Sequence, residues 1–171
     1  MIYFVAYLNP TVERDGEKRV ALAVQYVGSS AYLSCHATEG SAWLKSQHHD
    51  AMAQADEHSV LGNFNNARFT YAGLTSTFFK RDGKFFVNTE GRDGKLTDYE
   101  ITYTFGVSPL QQYLIEFPDA RLQALSIAWD SRPKKDGGQR WFHLYPKERI
   151  THGDELHWTG PAQNWNFMCA D

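Results

Sequence analysis

The chain has 171 residues, a length typical of one globular domain with a single hydrophobic core. Its formal net charge of −3 at pH 7 offers no basic surface for nucleic acid, and no stretch comes near the roughly 20 apolar residues that cross a membrane. Its two cysteines are too few for a disulfide framework.

Residues 1–25 are predicted to be an atypical N-terminal extension. The run from 1 to 8 is apolar, but no lysine or arginine precedes it, and Asn9-Pro10 ends it early. An export signal instead combines a positive segment, an apolar segment and small residues at a cleavage point. A displaced or internal start would also remove such a signal, so this segment does not decide where the protein is located.

The pair Cys35-His36 is the second half of a c-type haem attachment motif. The full motif is Cys-x-x-Cys-His, in which two thiols form thioethers to the haem vinyl groups and the histidine binds the iron. Tyr32 stands where the first cysteine belongs, and Cys169 opens a Cys-Ala-Asp sequence that matches the first three positions of such a motif. Cys35, His36 and Cys169 are therefore candidate haem-binding residues. The alternative for Cys35 is a buried structural thiol.

Residues 38–55 are predicted to form one helix near the N-terminus. Leu44, His48 and Met52 recur at intervals of four residues, which places them on one face of a helix. His48 then lies in the apolar stripe, and His49 points about 100° away from it. A buried imidazole needs a hydrogen-bond partner, so one interpretation of His48 is a core histidine bonded to a backbone carbonyl.

From residue 66 onward the apolar period changes to two. Between Tyr99 and Phe105 large apolar residues alternate with polar ones, which is typical of a half-buried strand. Turn sequences such as Arg81-Asp82-Gly83-Lys84 separate the segments. The predicted strands lie near residues 67–73, 75–80, 84–89, 97–105, 110–117, 121–129 and 139–145. We expect an α+β fold, with the N-terminal helix followed by an antiparallel β-rich meander.

The later histidines are predicted to be structural or solvent-exposed. His143 lies in a strand flanked by aromatic residues, and we interpret it as structural; the alternative is a distal ligand to a haem carried outside this chain. Asp154, Glu155 and His157 contain the residue types of an acid-base group, but this composition is more typical of a solvated loop.

A set of long and unusual sequence stretches covers most of residues 26–171. They are YVGS at 26–29, AWLKSQHHDAM at 42–52, YTFGVSPLQQYL at 103–114, RLQAL at 121–125, AWDSRP at 128–133, GQRWFHLYP at 138–146, HWTG at 157–160 and QNWNFMCA at 163–170. Together they resemble a family of bacterial multihaem c-type cytochromes whose haem region is often followed by tetratricopeptide repeats. In that family the last stretch continues into Cys-His. The resemblance therefore implies a single cytochrome-like domain over 26–171 that is truncated at its C-terminus.

The resemblance implies an electron-transfer module, more an electron carrier than a catalyst, that binds haem c through a degenerate motif. His36 would be the proximal iron ligand, Cys35 the one remaining thioether, and Cys169 the first thioether of the next haem. His48 or His49 would be a distal iron ligand to this haem or to a neighbouring one. The partners would be redox proteins, and the location would be periplasmic or otherwise exported.

Other functions stay open at the level of sequence. Tyr32 supports a non-catalytic β-rich interaction or structural domain whose haem site has decayed, and a multihaem oxidoreductase with an open iron position is a further alternative. Cys35, His36, His48 and His49 could also supply four zinc ligands, although their spacing fits no recognisable zinc finger. Because residues 106–113 and 140–143 resemble the family most, we expect them to lie close together.

Overall fold

The computed structural model describes residues 31 and 33–168, and these residues are mostly β-sheet. Helix α1 spans Ala37–Leu44, and a second, four-residue helix, α2, spans Trp165–Met168. The strands are β1 (Met52–Gln54), β2 (Ala67–Tyr71), β3 (Leu74–Arg81), β4 (Lys84–Glu90), β5 (Leu96–Glu100), β6 (Tyr103–Phe105), β7 (Leu110–Glu116), β8 (Leu122–Ala124), β9 (Ile127–Asp130) and β10 (Arg140–His143). Within this described part, no helix has both the length and the apolar character needed to cross a membrane.

The α+β assignment and the helix over 38–55 are wrong. Helix α1 ends at Leu44, and Met52–Gln54 instead form strand β1, which pairs with β6. At the helix end the Ser46 hydroxyl turns back to donate to the Trp43 carbonyl at 2.7 Å, and His48, His49 and Asp50 beyond it have weaker helix propensity than the predicted helix requires. Pairing with β6 then satisfies the backbone of β1, which a local apolar pattern does not reveal.

The first of the two antiparallel sheets is a four-stranded meander in the order β2-β3-β4-β5. The predicted turn between β3 and β4 is confirmed, since Arg81 pairs with Lys84 across it. Asp82 and Gly83 both have positive φ at this turn, 51° and 75°. Two such residues in succession suit a tight hairpin because they match the right-handed twist of the flanking strands.

The second sheet has the order β1-β6-β7-β9-β10, with β8 also paired to β7. The predicted strand 97–105 is in fact two strands, because the chain passes from one sheet to the other within it. The Ile101 N–H donates to the carbonyl of Phe85 in the first sheet, and the Thr102 N–H donates to the carbonyl of Leu114 in the second. The alternation of apolar and polar residues continues across this crossing, so the sequence predicted one long strand.

A single aromatic-rich core lies between the sheets and contains residues of both. Phe64, in the loop between β1 and β2, meets Phe78, Phe85 and Trp141 edge-on at ring-centroid distances of 5.1–5.6 Å. Edge-to-face pairs at such distances stabilise beyond the area they bury. Trp141 also lies 5.6 Å from the Tyr113 ring. The expected proximity of residues 106–113 and 140–143 is therefore confirmed.

Candidate functional site

The Cys35-His36 pair lies in an exposed turn directly before α1. The Cys35 thiol is exposed, with its Sγ 3.7 Å from the Ser34 hydroxyl. The interpretation of Cys35 as a buried structural thiol is therefore wrong. His36 occupies the N-cap position of α1, is also exposed, and accepts the Gly40 N–H at its carbonyl at 2.8 Å. Helix formation thus places a thiol and an imidazole side by side at the protein surface.

His48 and His49 lie in the turn beyond the other end of α1. Both are exposed, so the placement of His48 in an apolar stripe is wrong, because the helix that would have created that stripe ends at Leu44. His49 Nδ1 is 2.7 Å from Asp50 Oδ1, and its ring packs edge-on against Trp43 at 4.8 Å. The eight residues of α1 span about 12 Å. His36 precedes the first residue of α1, and the histidine pair follows its last residue.

Apolar surface accompanies this region of the chain. Trp43 and Leu44, at the end of α1, are each 42% exposed. Cys169, the third candidate haem-binding residue, lies outside the described residues, as do Tyr32 and the extension 1–25.

A cavity of about 470 Å³, called here the inter-sheet cavity, is lined by residues between Tyr71 and Trp158, which follow the Cys35 turn in the sequence. Strands β2, β3, β4, β9 and β10 contribute to its walls, together with residues 149–152, 157 and 158. Its volume falls within the range of about 300–1,000 Å³ that is usual for small-molecule sites. Polar and apolar side chains converge there from segments that are far apart in the sequence.

The His143 side chain is buried and forms part of the wall of the inter-sheet cavity. Its ring stacks on Tyr71 at 3.6 Å with 3° between the planes, and its Nδ1 accepts the backbone N–H of Tyr145 at 3.1 Å. Burial lowers the pKa of His143, so the ring is neutral at pH 7. A neutral imidazole that accepts at Nδ1 carries its proton on Nε2. His143 is thus a hydrogen-bond donor that faces a cavity as well as a packed side chain.

His157 is the second buried histidine of the cavity, with a side chain only 8% exposed. Its Nδ1 lies 2.8 Å from the Thr159 hydroxyl and accepts the Thr159 N–H at 3.4 Å. Burial lowers the pKa of His157 as well. The solvated-loop interpretation is therefore wrong for His157, although Asp154 and Glu155 are exposed. The loop folds inward because the Trp158 indole donates to the Glu90 carbonyl at 2.7 Å.

Glu90 supplies a carboxylate between the two loop histidines of the cavity. Its side chain is 20% exposed, and its oxygens lie 3.6 Å from His152 Nδ1 and 3.9 Å from His157 Nε2. Both distances exceed those of a hydrogen bond. Ser126 also lines the cavity, and its buried hydroxyl has no hydrogen-bond partner among the described residues. Neither residue was singled out from the sequence, because each lies in an ordinary strand pattern and becomes notable only through its neighbours.

Within residues 31 and 33–168, no group of three or more histidine, cysteine or acidic side chains is placed to hold a metal ion. The four-ligand zinc set suggested by the sequence is therefore not assembled. No family model, curated protein or solved structure matches this chain.

Proposed function

We propose that this chain is an electron-transfer module of a multihaem c-type cytochrome that carries a degenerate haem site at Cys35 and His36. The observation that carries the proposal is the exposed thiol of Cys35 beside His36 at the start of α1. Covalent attachment requires the sulfur to reach a vinyl carbon of the porphyrin. An exposed turn permits this approach without opening the hydrophobic core.

The residues of this turn fit one-point attachment of haem c. Cys35 would hold one vinyl carbon through a thioether, and His36 would bind the iron through an imidazole nitrogen. The exposed Trp43 and Leu44 offer apolar surface on the helix that follows. Bound haem would supply one-electron redox chemistry at the iron. Tyr32 has no thiol, so the second covalent anchor is missing and attachment would be inefficient.

His48 or His49, in the exposed turn after α1, would be a distal ligand to this haem or to a neighbouring one. In this proposal Cys169 provides the first thioether of a further haem, redox proteins are the partners, and the location is periplasmic or otherwise exported.

A second candidate is a non-catalytic interaction or structural domain whose haem site has decayed. Two observations favour it: Tyr32 replaces the cysteine of the motif, and buried side chains of both sheets pack with Phe64 in one hydrophobic cluster. A domain with such a core does not need a cofactor to bury its apolar surface. The two candidates differ in whether the Cys35 turn still accepts haem.

The test is covalent haem yield after expression with haem-maturation proteins in an oxidising compartment. We expect the unaltered chain to carry at most one haem, with part of the protein haem-free. Tyr32→Cys should raise the yield clearly and shift the alkaline pyridine spectrum to the position of two saturated vinyl groups. Ser34→Cys is the matched control, since it adds a thiol in the same turn at the wrong spacing and should not raise the yield.

Three further variants complete the test. Cys35→Ser and His36→Ala should each abolish the haem signal of the unaltered chain, whereas Cys169→Ser should not lower it. A folded Tyr32→Cys protein without covalent haem would contradict the electron-transfer proposal and leave the decayed-site candidate in its place.

A further inference from the structure

We propose that Asp50 is a positioning residue that prepares His49, and not His48, to bind haem iron. This role rests on the proposed function, which leaves open which histidine of the pair is the distal ligand. Both histidines lie in the exposed turn after α1 and are adjacent in the sequence. They differ in the contacts that each imidazole makes with the rest of the chain.

The Asp50 carboxylate sets the position of the proton on the His49 ring. His49 Nδ1 lies 2.7 Å from Asp50 Oδ1. An ionised carboxylate only accepts hydrogen bonds, so Nδ1 carries the proton and donates it. The neutral ring then has its lone pair on Nε2, which has no hydrogen-bond partner among the described residues. Histidines that bind metals in proteins commonly have this arrangement, with one ring nitrogen donating to a carboxylate and the other binding the metal.

The His49 ring also packs against a neighbouring aromatic side chain. The Trp43 indole, near the end of α1, meets the imidazole edge-on at 4.8 Å between the ring centroids, with 88° between the planes. A hydrogen bond and a ring contact together restrict rotation of the side chain, so less rotational freedom is lost when the ring binds a ligand. The His49 side chain is still 39% exposed, so an external iron centre can approach it.

His48 lacks both kinds of contact. Among the described residues, its imidazole makes no hydrogen bond, ion pair or ring contact. Without a partner on either nitrogen, the ring is a mixture of tautomers. Only one part of that mixture has its lone pair on a given nitrogen, which lowers the apparent affinity for a metal in proportion. We therefore expect His49 to bind iron more tightly than His48.

The backbone of the turn is anchored in the same way for both histidines. The His49 N–H donates to the Ser46 carbonyl at 3.2 Å, and the Ser46 N–H donates to the Trp43 carbonyl at 2.9 Å. At the other end of the turn, the Ala51 carbonyl accepts the Gly106 N–H at 2.7 Å. Since both residues share this anchored backbone, the difference between them comes from the side-chain contacts of His49.

The first measurement is the tautomer of each imidazole in the haem-free chain, read from long-range proton–nitrogen NMR at about pH 8, above the ordinary range of imidazole titration. We expect His49 to carry its proton on Nδ1 and His48 to show averaged signals of both tautomers. Asp50→Asn should give His49 a similar average, because an amide can donate to Nδ1 as well as accept from it. Glu116→Gln is the matched control, since it neutralises an exposed carboxylate on β7. Near-ultraviolet circular dichroism checks that each variant is folded.

The second measurement is a titration of the full chain with a haem octapeptide whose sixth iron position is open. This probe carries its own haem, so its binding does not depend on attachment at Cys35. The imidazole NMR signals identify which histidine binds it. We expect His49 to respond at the lowest probe concentration, and Asp50→Asn to weaken this binding about tenfold, toward that of His48. His49→Gln should remove the tightest binding step, whereas His48→Gln should leave it in place.

The role of Asp50 is supported by an Nδ1-protonated His49 that binds the probe most tightly and loses this advantage in Asp50→Asn. It is overturned by a His49 ring protonated on Nε2, by no saturable binding at His49, by equal or tighter binding at His48, or by unchanged affinity in Asp50→Asn. A folded Tyr32→Cys chain without covalent haem would contradict the electron-transfer proposal alone, because the titration supplies haem from outside.

Discussion

Gln111 is a buried side chain that attaches the loop between β1 and β2 to strand β7. Its Oε1 accepts the Leu61 N–H at 2.8 Å and the Tyr113 hydroxyl at 2.9 Å, and its Nε2 donates to the Ser59 carbonyl at 2.9 Å. This loop carries Phe64 into the centre of the core. The Gln111 amide therefore holds in place the loop that carries Phe64 into the core.

Replacement of Gln111 tests this role. Gln111→Ala should lower the free energy of unfolding by about 2–4 kcal/mol, because buried donors and acceptors of the loop are left without partners. Gln112→Ala is the matched control at the next residue, where the amide makes only one long hydrogen bond of 3.5 Å. We expect that control to cost under about 1 kcal/mol. Urea unfolding followed by tryptophan fluorescence measures both, and equal costs would contradict the prediction.

Asp130 ends strand β9 and binds Arg132 through both carboxylate oxygens. Arg132 Nε lies 2.9 Å from Oδ1 and Nη2 lies 2.6 Å from Oδ2. These charge-assisted hydrogen bonds lower the pKa of Asp130 to about 2. The stabilisation is therefore complete above the pKa of about 3.9 of an unfolded aspartate and is lost as the pH falls toward 2.

The acid sensitivity predicted for Asp130 can be isolated by substitution. Asp130→Asn should be less stable than the unaltered chain at pH 7, and this difference should shrink as the pH falls from 4 to 2. Asp119→Asn, at an exposed turn, should show no comparable narrowing. Thermal melting followed by circular dichroism over this range gives the comparison. A difference between Asp130→Asn and the unaltered chain that stays constant with pH would count against the ion pair.

The hairpin between β3 and β4 depends on turn residues that adopt a positive φ. Gly83 adopts a φ of 75°, and a Cβ at this position would meet nothing within 4 Å. Any cost of a side chain there is therefore conformational and not steric. The two strands carry Phe78, Phe85 and Val87 into the core, so the turn also fixes which side chains face inward.

A pair of glycine substitutions tests this turn. Gly83→Ala should destabilise the protein by about 1 kcal/mol, because alanine adopts a positive φ only at a conformational cost that glycine does not have. Gly153→Ala is the matched control, since Gly153 also has open space around its Cβ but does not have a left-handed φ. The control should change stability by less than about 0.5 kcal/mol. Chemical denaturation of the two variants measures the difference, and a neutral Gly83→Ala would refute the argument.

At the scale of the whole molecule, the two buried histidines make the stability of the fold depend on pH. Burial lowers the pKa of both His143 and His157 below the ordinary value of 6.5. The unfolded chain then binds more protons than the folded chain below pH 6.5. The free energy of unfolding should therefore be fully retained above that pH and decrease as the solution is acidified through it.

The expected result is a melting temperature that is level from pH 8 to 7 and declines from about pH 6.5 to 5. His157→Gln should flatten this decline, because it removes one of the two groups that must be charged. His58→Gln is the control, as His58 is exposed and should leave the profile unchanged. Differential scanning calorimetry of haem-free protein provides the measurement. An unaltered slope in His157→Gln would show that this imidazole does not contribute.

The sequence by itself predicted several of the strands and singled out the Cys35-His36 pair, and the physical reason is that these signals are local. Alternation of side chains and the glycine-containing turns located β2, β3, β4 and β7 to within about two residues, since both signals act between near neighbours. The Cys35-His36 pair was likewise visible because its two residues are adjacent.

Only the tertiary structure decided the length of α1, the division into two sheets and the inter-sheet cavity. Residues 52–54 became a strand because β6 offered a partner edge, which overrides a weak helical pattern. The chain changes sheets at Ile101 and Thr102 because their hydrogen-bond partners belong to different strands. Glu90 and His157 are separated by 66 intervening positions of sequence, and their 3.9 Å separation requires the loop to pack on β4. Such proximity depends on which surfaces bury each other, and no local pattern encodes it.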